Sequence, residues 1–190
     1  MFSPSAYLPG VDDAGVRRLR RHEYERLVAT GAFEDEHVEL VRGVIVRMPP
    51  HDSPHAAPIQ RLTELLVPRL LGRASVRVQL PLRAPDESQP QPDLALVSPG
   101  DYDGAHPDTA SLVIEVAYSS LAYDRGTKAP LYAEMGVPEY WIVNVKDASI
   151  EVHREPSGGH YGRFTTHRAG ESIALRAFPD VALAVGDIVR

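Results

Sequence analysis

The run Leu112-Val113-Ile114-Glu115-Val116 carries a carboxylate in the middle of an apolar, β-branched segment. Such a segment reads as a strand buried on both faces. A carboxylate there loses hydration and must be compensated by a cationic side chain, a nest of backbone N–H groups or a metal ion. Asp93 poses the same problem, because it follows Gln91-Pro92 and opens Leu94-Ala95-Leu96-Val97, a second apolar strand. Taken singly, an Asp after Pro is an ordinary turn residue, and a buried Glu can belong to a structural ion pair. If the two strands are neighbours, both carboxylates project to one spot and make a hard, negative site suited to Mg2+ or Mn2+. An ion held there can grip a phosphodiester oxygen and lower the pKa of a bound water. Lys128 follows on the next helix, with Tyr132 one turn later on the same face. Alone, such a lysine reads as solvated surface; near a metal site its ammonium could orient or help deprotonate the attacking water, or neutralise charge on a phosphate.

The rest of the chain interleaves helices and strands. A short helix is predicted from His22 to Thr30, with Tyr24, Leu27 and Val28 forming one apolar stripe and Gly31 ending it. Two β-rich runs, Val38–Val41 and Val44–Val46, flank Arg42-Gly43 as a hairpin that Met48-Pro49-Pro50 closes. A second helix spans Pro54 to Leu71, capped by Ser53 and stopped by Gly72, with Pro58 confined to its first turn and Pro68 kinking its end. Ser75 to Arg83 alternates as a half-buried strand. Asp124 to Met135 reads as a helix closed by Gly136, and Tyr140 to Val145 as an apolar strand. Ile150–His153 and Tyr161–Thr165 read as a hairpin across Ser157-Gly158-Gly159. The expected fold is an α/β or α+β domain over residues 21–190, built on a central mixed β-sheet flanked by helices, behind a flexible arm over residues 1–20. A chain of 190 residues is long enough for one proper core.

Composition excludes several chemistries. There is no cysteine, which removes disulfides, zinc–thiolate centres and cysteine nucleophiles and suits a cytoplasmic setting. The apolar runs fall far short of the roughly 20 residues that span a membrane, and MFSPSAYLPGVDDAG lacks the pattern of a secretory signal. The net charge of −6 does not advertise nucleic-acid binding. Arg17-Arg18-Leu19-Arg20-Arg21 is the local exception, a solvated helix start or a phosphate-contacting arm. His51 and His55 are four apart, but Pro54 intervenes and no glutamate makes the zinc-protease motif. His55 reads as a capping or surface residue, or as one lining a cleft beside phosphate. His153, His160 and His167 read as surface positions on a hairpin, and Trp141 as core or a subunit contact. Ser119-Ser120 has no nucleophile elbow, and no phosphate-binding or dinucleotide glycine loop is present.

Read together, several stretches resemble one known family. They are VELVRGVIVRMPP, Ser53-Pro54-His55, Gln91-Pro92-Asp93-Leu94, LVIEVAYSS, Tyr123-Asp124-Arg125-Gly126-Thr127-Lys128, Leu131-Tyr132, and Gly136-Val137-Pro138-Glu139-Tyr140-Trp141-Ile142-Val143. The chain from about Tyr24 to Val185 is similar to the Uma-two family of putative restriction endonucleases, within the PD-(D/E)xK nuclease superfamily. The resemblance implies a restriction-endonuclease-like fold, with Asp93, Glu115 and Glu39 as metal ligands for Mg2+ or Mn2+. The superfamily's usual lysine position falls on Ala117; the resemblance implies that Lys128 has taken over the lysine's role from the following helix, with Asp124 orienting it. Arg42 stands where the family often has an acidic residue, and Pro130 interrupts the helix of Lys128.

Two functions follow as expectations. One is a metal-dependent endonuclease hydrolysing DNA phosphodiester bonds, working as a cytoplasmic homodimer. The other is a non-catalytic binding or assembly protein that keeps the fold and an idle site, for which the acidic charge argues.

Overall fold

In the computed structural model the described residues are 15–48, 53–85 and 87–190. They form two compact units, one drawn from Met1–Pro50 and Arg83–Pro90, the other from His51–Leu82 and Gln91–Arg190.

The first unit holds helix α1 (Arg21–Ala29) and strands β1 (Val38–Val41) and β2 (Val44–Arg47). The strands pair antiparallel around Arg42 (φ 50°) and Gly43 (φ 76°), both left-handed, as a two-residue primed turn requires. A Cβ on Gly43 would meet Arg18 Cβ at 2.4 Å, so glycine is needed there for space as well. The expected apolar stripe on α1 is only partly used. Tyr24 is buried, its hydroxyl donating to the Val38 carbonyl at 3.0 Å and its ring stacked on Phe33, whereas Leu27 and Val28 are exposed. A two-stranded hairpin offers too little surface to cover a whole helix stripe. The Arg17–Arg21 run is tied to this unit: Arg18 Nη1 donates to the Arg42 carbonyl at 2.8 Å, Leu19 N–H to the Gly43 carbonyl at 3.0 Å, and Arg17 pairs with Glu23.

The second unit is a mixed six-stranded sheet flanked by helices, as the sequence indicates. Its strands are β3 (Ser75–Val78), β4 (Leu94–Val97), β5 (Leu112–Ala117), β6 (Glu139–Asn144), β7 (Ser149–Ser157) and β8 (His160–Arg168), in that spatial order. All neighbours are antiparallel except β5 and β6, which are parallel. Parallel neighbours need a crossover. Here it contains a short helix α3 (Leu121–Tyr123), a π-helical turn over Asp124–Lys128, and helix α4 (Ala129–Glu134). Beyond β8, strands β9 (Ser172–Ala174) and β10 (Ala182–Ala184) pair antiparallel, and helix α5 (Val185–Ile188) follows.

Cores on both faces explain why β4 is apolar throughout, β5 at every position but Glu115, and β6 at every position but Glu139 and Asn144. On one face, Ile59, Leu62, Leu66 and Leu70 of helix α2 (Ser53–Leu70) pack with Leu94, Leu96, Ile114 and Trp141. Trp141 is therefore core, its indole N–H donating to Glu139 Oε1 at 3.0 Å. On the other face, Ala129 and Tyr132 of the crossover pack with Ala95, Val113, Ala117, Tyr140 and Ile142. Period-two alternation then sends Glu115, between Val113 and Ala117, to the crossover face.

Four local expectations change. Ser53 is the first residue of α2, so Pro58 falls in the second turn, where its ring removes one helical N–H. Strand β3 stops at Val78, because Gln79 turns to φ 52° and donates its N–H to the Asp93 carbonyl at 3.0 Å. The crossover is helical from Leu121 onward, and its middle is π-helical. His153 is packed against the rings of Tyr140, Tyr161 and Phe164, with its side chain 14% exposed, so it is not a surface residue. Pro49, Pro50 and His51 lie outside the described residues.

Candidate active site

Continuing the β4–β5 register one step beyond the Leu94–Ile114 pair sets Asp93 opposite Glu115. Two carboxylates directly across a strand pair repel each other. Backbone donors hold them there: Asp93 N–H donates to Glu115 Oε2 at 3.2 Å, and Val116 N–H donates to Asp93 Oδ2 at 2.8 Å. Both residues are buried, at 7% and 6% exposure.

Side chains complete the arrangement. His55, in the first turn of α2, sets Nε2 3.1 Å from Asp93 Oδ1, and the Gln79 amide donates to the same oxygen at 3.4 Å. The His55 ring thus lies against a site carboxylate. Across the pair, Lys128 Nζ donates to Glu115 Oε1 at 3.2 Å, and the Tyr132 hydroxyl donates to that oxygen at 2.7 Å. Lys128 is 3% exposed, and its ammonium lies 5.9 Å from the Tyr123 ring centre and 5.8 Å from that of Tyr132. A buried ammonium is sustained by this anion and by the two ring faces.

The π-helical turn delivers the lysine. It is gripped at several points: Ser120 Oγ donates to Asp124 Oδ2 at 2.6 Å, Tyr140 donates to the Asp124 carbonyl at 3.3 Å, and Arg125 pairs with buried Glu151 through Nε at 3.0 Å and through Nη2. Burial, with the negative charges of Asp124 and Glu115 nearby, pushes the Tyr140 hydroxyl well above the ordinary phenol range, so it remains a neutral donor. Single-turn π segments are uncommon and recur at functional sites.

Thus Asp93, Glu115 and Lys128, named from the sequence, come together, and Tyr132 joins them. Glu39 belongs to the first unit, where it is buried on β1 opposite Val46. Its charge helps to raise the pKa of Tyr24, after burial. Gln79 was missed, having no signal beyond its place before Leu80-Pro81.

The donors at the pair are all hard oxygens. Among the described residues no group of three or more His, Asp or Glu side chains gathers as a complete protein cage for a metal. Zinc and calcium ordinarily demand more protein ligands than two carboxylates. Mg2+ keeps several waters and is commonly bound by one or two carboxylates, so the residues present fit it.

A family model described as "Uma2: Putative restriction endonuclease" matches residues 21–186. Among solved structures, one similar chain is a crystal structure titled as a putative nuclease belonging to DUF820 from Anabaena variabilis ATCC 29413. It shares 14% sequence identity at a TM-score of 0.69, over 90% of this chain and 97% of that one. At that identity the likeness is one of fold. No curated protein matches the sequence. No helix among the described residues is long and apolar enough to cross a membrane.

Proposed function

The chain belongs to the Uma2 family of putative restriction endonucleases, and from that premise we propose that it is a Mg2+- or Mn2+-dependent endonuclease hydrolysing DNA phosphodiester bonds. The observation that carries the reading is the pairing of two buried carboxylates across β4 and β5, with an ammonium on one of them. In this reading Asp93 and Glu115 hold the cation, which when bound polarises a phosphoryl oxygen and acidifies a water. Lys128 places positive charge beside Glu115, where it orients the attacking water and offsets charge gathering on the phosphate. Tyr132 fixes the Glu115 carboxylate, and His55 and Gln79 fix that of Asp93. Glu39 is not used. A cytoplasmic setting and a homodimer belong to the same reading.

The second reading is a binding or assembly protein with an idle site, favoured by the net charge of −6. Thermal unfolding with added Mn2+ separates the two. The endonuclease reading expects Mn2+ to raise Tm in the wild type and to lose that effect in Asp93→Ala and Glu115→Ala. An idle site expects no shift, or one that survives both substitutions.

A further inference from the structure

On the same sheet face as the carboxylate pair lies a cation that the mechanism above does not use. Arg77 pairs with Ala95 across β3 and β4. Paired residues in a sheet point to one face, and Ala95 packs in the core that contains Tyr132. Asp93 is two residues before Ala95, about 7 Å along the strand. Arg77 therefore stands one strand over and one side-chain step away from the candidate metal ligands.

Its surroundings are unusual for a half-buried arginine. Its Nε is enclosed and has no hydrogen-bond partner. The nearest polar partners of its Nη2 are distant and are not carboxylates, the Pro81 carbonyl at 3.4 Å and His106 Nδ1 at 3.5 Å. The guanidinium lies 5.3 Å from the Tyr102 ring centre, which gives it a flat floor. Among the described residues no carboxylate forms an ion pair with it. Of the other half-buried or buried Lys and Arg side chains of this unit, Lys128 has Glu115 and Arg154 has Glu139, while Arg61 donates to the Ile188 carbonyl at a normal 2.9 Å. Desolvation accordingly lowers the pKa of Arg77.

A partly buried guanidinium over an aromatic ring, with no carboxylate beside it, suits an anionic ligand at its more open face. We propose that Arg77, seated on Tyr102, is a phosphate-binding subsite that holds a backbone phosphate of the nucleic acid beside the one at Asp93 and Glu115. This rests on the endonuclease reading for the identity of the ligand. Arg77 is a substrate-positioning residue, and it places positive charge on the site face of a chain that is acidic overall.

The test is binding of a fluorescein-labelled mixed-sequence DNA duplex in EDTA, followed by anisotropy over a salt series. Wild type is compared with Arg77→Met, which keeps the packed stem, and Arg77→Lys, which keeps the charge. Each phosphate contact contributes about 0.9 to the slope of log K against log salt. The inference expects Arg77→Met to bind more weakly with a slope smaller by about 1, and Arg77→Lys to retain the slope. It also expects Arg77→Met to have a Tm no lower than wild type, because an unpaired desolvated charge is removed. An unchanged slope in Arg77→Met, a lower Tm for that variant, or no duplex binding by wild type would overturn it. Plasmid cleavage with Mg2+ reads the endonuclease proposal separately. Arg77-dependent binding without cleavage leaves this inference standing alone, and wild-type-like cleavage and binding in Arg77→Met leaves only the endonuclease.

Discussion

Asp93 N–H donates to Glu115 Oε2 at 3.2 Å, so the main chain of one site residue grips the carboxylate of the other. Val116 N–H returns the bond to Asp93 Oδ2 at 2.8 Å. The two carboxylates are thus held by the backbone of two adjacent strands, Asp93 just before β4 and Glu115 inside β5, which are more rigid supports than loops. Positions fixed in this way keep the two carboxylates side by side, which is where the proposed reading puts a divalent cation.

Tyr132→Phe deletes one donor to Glu115 and nothing else in volume. A hydrogen bond to a charged group contributes about 1.5–3 kcal/mol, and the hydroxyl lies 2.7 Å from the carboxylate. Urea unfolding in EDTA should show a loss of about that size. An unchanged midpoint would mean that Tyr132 does not secure Glu115.

Lys128→Met leaves a buried carboxylate without its ammonium. Removing one partner of a buried pair costs about 3–5 kcal/mol. In Lys128→Met, Mn2+ should recover more stability than it adds to wild type, because the metal takes over the missing positive charge. Adding Glu115→Gln should restore part of the metal-free loss, which a double-mutant cycle measures. Equal Mn2+ stabilisation of both proteins would contradict the account.

His153 predicts a pH dependence. Burial holds its pKa below the ordinary imidazole value, and this outweighs the upward pull of Glu151, 3.7 Å away. Because Nε2 makes no hydrogen bond and the ring resists protonation, the contact with Glu151 is between a neutral imidazole and a carboxylate rather than an ion pair. As pH falls below about 6.5 the unfolded chain takes up a proton that the folded chain resists, so stability is lost until the folded value is passed. His153→Phe, which keeps an aromatic ring, should remove this component from a plot of unfolding free energy against pH. Identical slopes for the two proteins between pH 7 and 5 would contradict it.

Asp93 and Glu115 are legible in the sequence because a carboxylate among β-branched residues violates ordinary burial, and strand periodicity fixes its face. Lys128 is legible as a cation on the helix after Glu115, but nothing in DRGTKAPLY announces the π-helical turn that carries it. Tyr140 and Glu151 hold that turn from distant positions in the chain. The early end of β3 has the same origin: Gln79 bends to reach Asp93, a tertiary bond that overrides the alternation of SVRVQLPLR. Leu27 and Val28 fit a helix stripe perfectly well and still lie exposed, because periodicity tells which residues share a face and not how much surface is available to cover it.

The most direct test of the central claim is cleavage of supercoiled plasmid with Mg2+ and with Mn2+, wild type beside Asp93→Ala. The account predicts nicked and linear products that require the metal, and a loss of at least about 100-fold in the variant, in the range set by removing a group that organises transition-state charge. Metal-dependent cleavage that persists in Asp93→Ala, or no cleavage by wild type with either ion, would contradict it.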